Sequence, residues 1–318
     1  MSSPDHAWDP EWLDRMYNNR LLVPEHPVYL SRWAEDSAQA RKRLPCRLDV
    51  PYGSEPGERL DVFPASGEAC VQSGAPVLLF IHGGYWRALD ESDHSFIAPE
   101  FTQAGACVVV PNYALCPAVT IPEILQQMAR ALAWTRRHIS DHGGDPERIT
   151  VAGHSAGGQL AAMLLTCDWK THAPDLPEGL LRNALSISGL YDLAPIRHTP
   201  FLKDLRLTPE QVLQASPALQ PCPSHGTLYS VVGGDESGEY LRQNLLIRQV
   251  WGPETVPVCE TFPGLNHFSV LAALAQPSHR LHQLALELLG LRQPTRYQPR
   301  GLTSSGLHSN SFRPEPHS

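Results

Sequence analysis

Glu147-Arg148-Ile149-Thr150-Val151-Ala152 reads as a short buried strand that runs directly into Gly153-His154-Ser155-Ala156-Gly157, and from there into Gln159-Leu160-Ala161-Ala162-Met163-Leu164-Leu165, a run of good helix formers. No other stretch constrains the fold as much. A Gly-x-Ser-x-Gly at a strand-to-helix junction is a sharp, strained turn with the serine at its apex, and side chains two residues either side would strike neighbouring backbone, hence Gly153 and Gly157. Ser155 is therefore a candidate nucleophile. The five-residue pattern alone is weak: with Gly and Ser each near ~7% of residues, a random chain of this length carries it roughly one time in ten.

A second motif supports it. Upstream, the apolar strand Pro76-Val77-Leu78-Leu79-Phe80-Ile81 ends in His82-Gly83-Gly84-Tyr85-Trp86. Glycines after a strand let backbone N–H groups approach a ligand oxygen, so the N–H groups of Gly83, Gly84 and Ala156 form a candidate oxyanion hole. Tyr85 and Trp86 follow as candidate walls of a substrate pocket.

Strand and helix patterns alternate around these motifs. Residues 47–52 and 59–63 alternate polar and apolar about a glycine turn and read as an antiparallel hairpin. Continuous apolar strands follow at 76–82, 106–111, 148–153, 183–188, 227–233 and 255–261, with helices near 93–104, 121–141, 156–168, 237–251 and 278–290. Strands this apolar cannot face water, which implies a mostly parallel eight-stranded sheet with helices on both faces, the plan of the α/β-hydrolase fold. The expected division is an N-terminal arm over residues 1–45 packed on the body, one α/β-hydrolase domain over 46–291, and a tail over 292–318 expected to be disordered. Within the domain, the Pro-rich stretch 192–224 fits a small cap over the site.

Composition removes several function classes. At 318 residues the chain buries about three quarters of its unfolded surface, enough for one large core. The net charge of −8 comes without a basic stripe or tail, so nucleic acid is not an expected partner. The N-terminus lacks a cationic, apolar leader and no run nears ~18 apolar residues, so neither export nor a membrane partner is expected, and a cytoplasmic location is. Seven scattered cysteines and dispersed histidines show no metal-ligand spacing, so no metal and no cofactor are expected.

A serine hydroxyl needs a base, and in this fold the acid and the histidine follow the serine in chain order. His308 and His317 lie in the tail, and His279 and His282 on the terminal helix. His267 sits in Pro263-Gly264-Leu265-Asn266-His267-Phe268, a loop directly after a strand, where such sheets place functional groups. Two acids adjoin after the strand at 227–233, Asp235 and Glu236, and a one-residue shift turns a side chain elsewhere, so only one can reach the imidazole. The pattern alone favours Asp235, Asp being the commoner acid.

These residues resemble the kynurenine formamidase (arylformamidase) branch of the α/β-hydrolases, close to the hormone-sensitive-lipase type esterases. The resemblance covers about Tyr52 to Leu289 and leaves the N-terminal arm outside. It rests on His82-Gly83-Gly84-Tyr85-Trp86, Gly153-His154-Ser155-Ala156-Gly157, Asp168-Trp169, Ser188-Gly189-Leu190-Tyr191-Asp192-Leu193, Glu236-Ser237-Gly238-Glu239-Tyr240 with Arg242-Gln243, and Asn266-His267-Phe268. The family places its acid immediately before a Ser-x-Glu-aromatic stretch; carried over, that position is Glu236, a Glu where an Asp is expected, with Asp235 as the alternative. The resemblance implies hydrolysis of an N-formyl aromatic amine of the N-formyl-kynurenine type by Ser155, His267 and Glu236. A carboxylesterase acting on short-chain or aryl esters is the alternative, and a non-catalytic binding protein of the same fold a remote one. The expected partner is a small aromatic amide or ester, and the oligomeric state, with a homodimer as one option, stays open.

Overall fold

The computed structural model describes residues 9–66 and 74–293. Among the described residues eight strands form one sheet: β1 (Arg47–Pro51), β2 (Arg59–Phe63), β3 (Ala75–Ile81), β4 (Cys107–Pro111), β5 (Gly144–His154), β6 (Asn183–Ile187), β7 (Thr227–Gly233) and β8 (Val258–Phe262). Their order is β1-β2-β4-β3-β5-β6-β7-β8. The β1–β2 and β2–β4 pairs are antiparallel and every other pair is parallel, as the hairpin pattern followed by apolar runs implied. The fold is that of an α/β-hydrolase.

The period of two divides the sheet into two cores. Val77, Leu79 and Ile81 of β3 join Val109 and Val151 on one face, covered by α5 (Ile121–His138), α6 (Ala156–Leu165) and α10 (Gly238–Thr255). Leu78 and Phe80 join Val108, Val110 and Ala152 on the other, covered by α4 (Ala98–Gln103), α11 (Ser269–Leu274) and α12 (Arg280–Leu288). α5 starts where a Thr120/Glu123 capping box satisfies its first N–H groups, and Arg136, Arg137 and His138 in its last turn oppose the helix dipole.

The arm is helical: α1 (Pro10–Tyr17), α2 (Asn19–Leu22) and α3 (His26–Arg43). Its aromatics do more than anchor it at the edge of the body. Tyr17 is fully buried in the first core, and Trp33 enters the second, stacked on Phe96. Trp8 lies outside the described residues. Past α7 (Trp169–His172), residues 192–224 hold α8 (Ala194–His198), a 3₁₀ segment (Pro200–Leu205) and α9 (Pro209–Ala215). This stretch is tied to the arm, Asp14 accepting from the Phe201 N–H. Most of the stretch expected to be disordered, 294–318, is outside the described residues, as is Cys70. Among the described residues no helix is long and apolar enough to cross a membrane.

Candidate active site

The turn between β5 and α6 explains its glycines by space. A Cβ on Gly153 would sit 2.1 Å from the Gly157 carbonyl oxygen, and one on Gly157 2.1 Å from that of Ile81. Ser155 itself has φ 57° and ψ −118°, left-handed backbone that a side chain rarely adopts. The strained apex lifts its hydroxyl out of the turn.

His267 Nε2 lies 3.1 Å from Ser155 Oγ, and its Nδ1 lies 2.6 Å from Glu236 Oε2. The other carboxylate oxygen, Oε1, accepts from the Ser188 hydroxyl at 2.5 Å and from the Gly233 N–H at 2.9 Å. With the Glu236 side chain fully buried and His267 only 6% exposed, this chain of bonds is shielded from water, where each polar contact is stronger. Carboxylate, imidazole and hydroxyl thus lie in series, able to hold the imidazole in the tautomer whose Nε2 lone pair faces the serine.

Asp235 points away. It is exposed, and Oδ1 accepts from the Gly264 N–H at 3.2 Å, so the adjoining acid that pattern alone favoured binds a loop instead of the imidazole. Neither carboxylate caps α10; Ser237 does.

The His82-Gly83-Gly84 loop runs against Ser155. A Cβ on Gly83 would lie 3.2 Å from Ser155 Cβ and 2.9 Å from the His154 carbonyl oxygen. Gly84 has φ 104°, and a Cβ there would meet the Ala88 carbonyl oxygen at 2.0 Å. Ala156 is the first residue of α6, so its N–H has no acceptor within the helix. His82 holds the loop from within, its ring stacked 4.2 Å from that of Tyr113 and its Nδ1 donating to the Gly83 carbonyl.

Tyr85 lines the cavity over Ser155, but Trp86 does not. Expected as a pocket wall, Trp86 is fully buried in the first core with its indole N–H donated to Gln159 Oε1 at 3.0 Å. Its ring lies edge-on to that of Tyr85, 6.3 Å away, and Trp86 is a packing residue.

The cavity holds about 550 Å³, with Ser155, His267, His154, Gly84 and Tyr85 at its base. Its aromatic walls are Trp33 from the arm, Phe201 from the 192–224 stretch and Phe268 beside His267. Asn18, Asn19, Arg20 and Leu21 of the arm complete it. Sequence reasoning missed these arm residues because nothing in their spacing distinguishes a residue folded over a site from one folded over solvent. Ser188 was missed too; its position at a strand end, with φ 52°, was the available signal.

Burial lowers the pKa of His154 well below the usual histidine value, with the nearby His267 and His94 adding to the effect, so His154 is neutral. Its Nε2–H donates to the His267 main-chain oxygen. Among the described residues, Asp49, Asp61 and Glu91 bring carboxylate oxygens within 4.8 Å of one another. None of them lines the cavity, and the Arg59 guanidinium sits 3.1 Å from Asp49 and 2.7 Å from Glu91, supplying positive charge from the protein itself.

Comparison with known proteins agrees with this architecture. A family described as having the alpha/beta hydrolase fold matches residues 78–219. The chain is 30% identical over 286 residues to the kynurenine formamidase of Danio rerio, covering 88% of this chain and 92% of that one. It is 32% identical over 154 residues to the esterase LipQ of Mycobacterium tuberculosis, covering 46% of this chain and 35% of that one. Among solved structures, one from Silicibacter sp. tm1040 superposes with a TM-score of 0.74 at 30% identity, covering 85% of this chain and 97% of that one.

Proposed function

Because the chain belongs to the kynurenine formamidase family of α/β-hydrolases, we propose that it hydrolyses N-formyl aromatic amines of the N-formyl-kynurenine type to formate and the free amine. The observation that carries this reading is the unbroken series Ser155–His267–Glu236 opening into an aromatic-walled cavity.

Ser155 Oγ attacks the formyl carbon while its proton passes to His267 Nε2, and Glu236 stabilises the resulting imidazolium. The carbonyl oxygen becomes an oxyanion facing the N–H groups of Gly83, Gly84 and Ala156. His267 then gives its proton to the leaving nitrogen, the C–N bond breaks, and the amine departs. A water attacks the formyl ester on Ser155, its proton going to His267, and formate leaves as the serine hydroxyl is restored. Trp33, Phe201 and Phe268 offer an aryl leaving group flat apolar surfaces.

Ester hydrolysis would use the same residues, and the similarity to an esterase keeps that reading as the second one. A panel comparing N-formyl-kynurenine with p-nitrophenyl acetate and butyrate decides between them. The proposal expects the formamide to have the higher kcat/KM; far higher values for the esters would replace it with the esterase reading.

A further inference from the structure

His154, the last residue of β5 and the chain neighbour of Ser155, reaches across the site to the loop that carries His267. Its Nε2–H donates to the His267 main-chain oxygen at 2.9 Å, and the two rings lie 4.7 Å apart. That bond decides the tautomer: a carbonyl can only accept, so the hydrogen of His154 is on Nε2 and its Nδ1 carries a lone pair. The side chain is buried, and Trp33 of the arm meets it edge-on at 6.3 Å, which leaves the donor little room to swing. Burial keeps the ring neutral, so it offers this N–H without placing a cation beside the imidazolium that forms on His267.

The loop between β8 and α11 is held at several points. The Leu265 carbonyl accepts from the Asp235 N–H at 3.0 Å, and the Asn266 side chain accepts from the N–H groups of Phe268 and Ser269 at 2.9 and 2.8 Å. These bonds flank His267, and the bond on its own main chain comes from His154. The imidazole itself is pinned at Nδ1 by Glu236 at 2.6 Å, while Nε2 stands 3.1 Å from Ser155 Oγ, towards the long end of the hydrogen-bond range. A ring held at Nδ1 alone can still pivot about that bond, and its Nε2 end then moves farthest. Fixing the His267 carbonyl fixes the backbone from which the ring hangs.

Resting on the serine-hydrolase reading above, we propose that His154 is a positioning residue, whose Nε2–H on the His267 main chain aims the imidazole at Ser155. One short segment then carries the nucleophile and sets the distance to its base. A displacement of about 1 Å at reacting groups can cost about a hundredfold in rate, so a single bond that prevents it has room for a large effect. The N–H is what this role requires, and the aromatic ring is only its carrier.

The test separates the two. Glutamine at 154 can bring an amide N–H to the same carbonyl, whereas phenylalanine fills the space of the ring and has no donor. His154→Phe should lower kcat about tenfold or more with KM within about threefold, and His154→Gln should restore kcat to within about threefold of wild type. His154→Met, also without a donor, takes the place of His154→Phe if that variant does not fold. The low-field proton NMR line of the His267 Nδ1–H bonded to Glu236 reports the imidazole without turnover. It should keep its wild-type position in His154→Gln and shift or broaden in His154→Phe. Packing alone would make His154→Gln, which loses the ring, the worse of the two. Equal or larger losses in His154→Gln, a wild-type kcat in folded His154→Phe, or an unmoved NMR line in that variant each overturn the inference. Hydrolysis that survives Ser155→Ala would instead remove the serine-hydrolase reading beneath it, and the NMR comparison would still decide whether His154 places His267.

Discussion

The Ser188 hydroxyl donates to Glu236 Oε1 at 2.5 Å, holding the carboxylate whose other oxygen meets His267. Ser188 directly follows β6 with its own N–H bonded to the Val231 carbonyl, so its place beside the strand end fixes the donor. Ser188→Ala leaves Oε1 with the Gly233 N–H alone, and the carboxylate loses half of what orients it on that side. We predict that kcat falls about tenfold with KM little changed, as expected for loss of one charge-assisted bond behind the reacting atoms. Steady-state kinetics on the purified variant checks it, and an unchanged kcat would show that Gly233 suffices.

The two adjoining acids give a paired prediction. Glu236→Gln should lower kcat by about 10⁴-fold, since an amide there favours the wrong imidazole tautomer and removes the charge that stabilises the cation. Asp235→Asn should stay within about threefold, because its side chain binds a solvent-exposed loop N–H. Circular dichroism establishes that both are folded before rates are compared. The reverse order of activities would move the acid to Asp235.

Legibility in the sequence followed the reach of the constraint. Gly153 and Gly157 were readable because a Cβ at either meets backbone within the same turn and the adjoining strand, a condition that strand-to-helix geometry imposes locally. The strands were readable because two-sided burial demands continuous apolar runs, and their register on the two cores follows from the period of two. Which of Asp235 and Glu236 faces His267 depends on how the turn after β7 meets the loop after β8, so it was accessible through family resemblance and not through pattern. Trp86 was misjudged because its neighbour Tyr85 does face the cavity, and the backbone that separates them, φ 51° and 55°, is invisible in composition. The arm's share in the site joins Asn19 to Tyr240, residues far apart in the chain, a contact no local reading can anticipate.

Trp86 supplies a stability prediction. Trp86→Ala should cost about 3–5 kcal/mol, through lost burial and a cavity beside Gln159. Trp86→Phe keeps the ring but strands Gln159 Oε1, at about 1–3 kcal/mol. Denaturant melts give these values. If Trp86→Phe instead raised KM with stability intact, the indole would belong to the substrate pocket after all.

Three buried histidines predict acid lability. Burial, the largest cause in each, lowers the pKa of His82, of His94 to about 3, and of His154. In the unfolded chain these groups take up protons near pH 6.5, so below that value the unfolded state binds more protons than the folded one and stability falls with pH. The decline is at most about 1.4 kcal/mol per pH unit for each histidine. His94 shows the effect alone: between about pH 6 and pH 4, His94→Gln should lose stability less steeply than wild type in urea titrations. Equal slopes would mean that His94 does not contribute.

Removal of metal ions should leave the rate unchanged, since in the proposed reaction Ser155, His267 and Glu236, held in series, supply nucleophile, base and orienting charge. Dialysis against a chelator, followed by assay with and without added divalent cations, checks this; a loss restored by one equivalent of metal would contradict it.

If Ser155 is the nucleophile of a formamide hydrolase, the turnover number of Ser155→Ala on N-formyl-kynurenine shows it. Removing the nucleophile from a cooperative triad lowers kcat by about a million-fold, so the folded variant should be inert on the scale of the wild-type assay. Activity within about tenfold of wild type, in a preparation free of the wild-type enzyme, would take Ser155 out of the reaction.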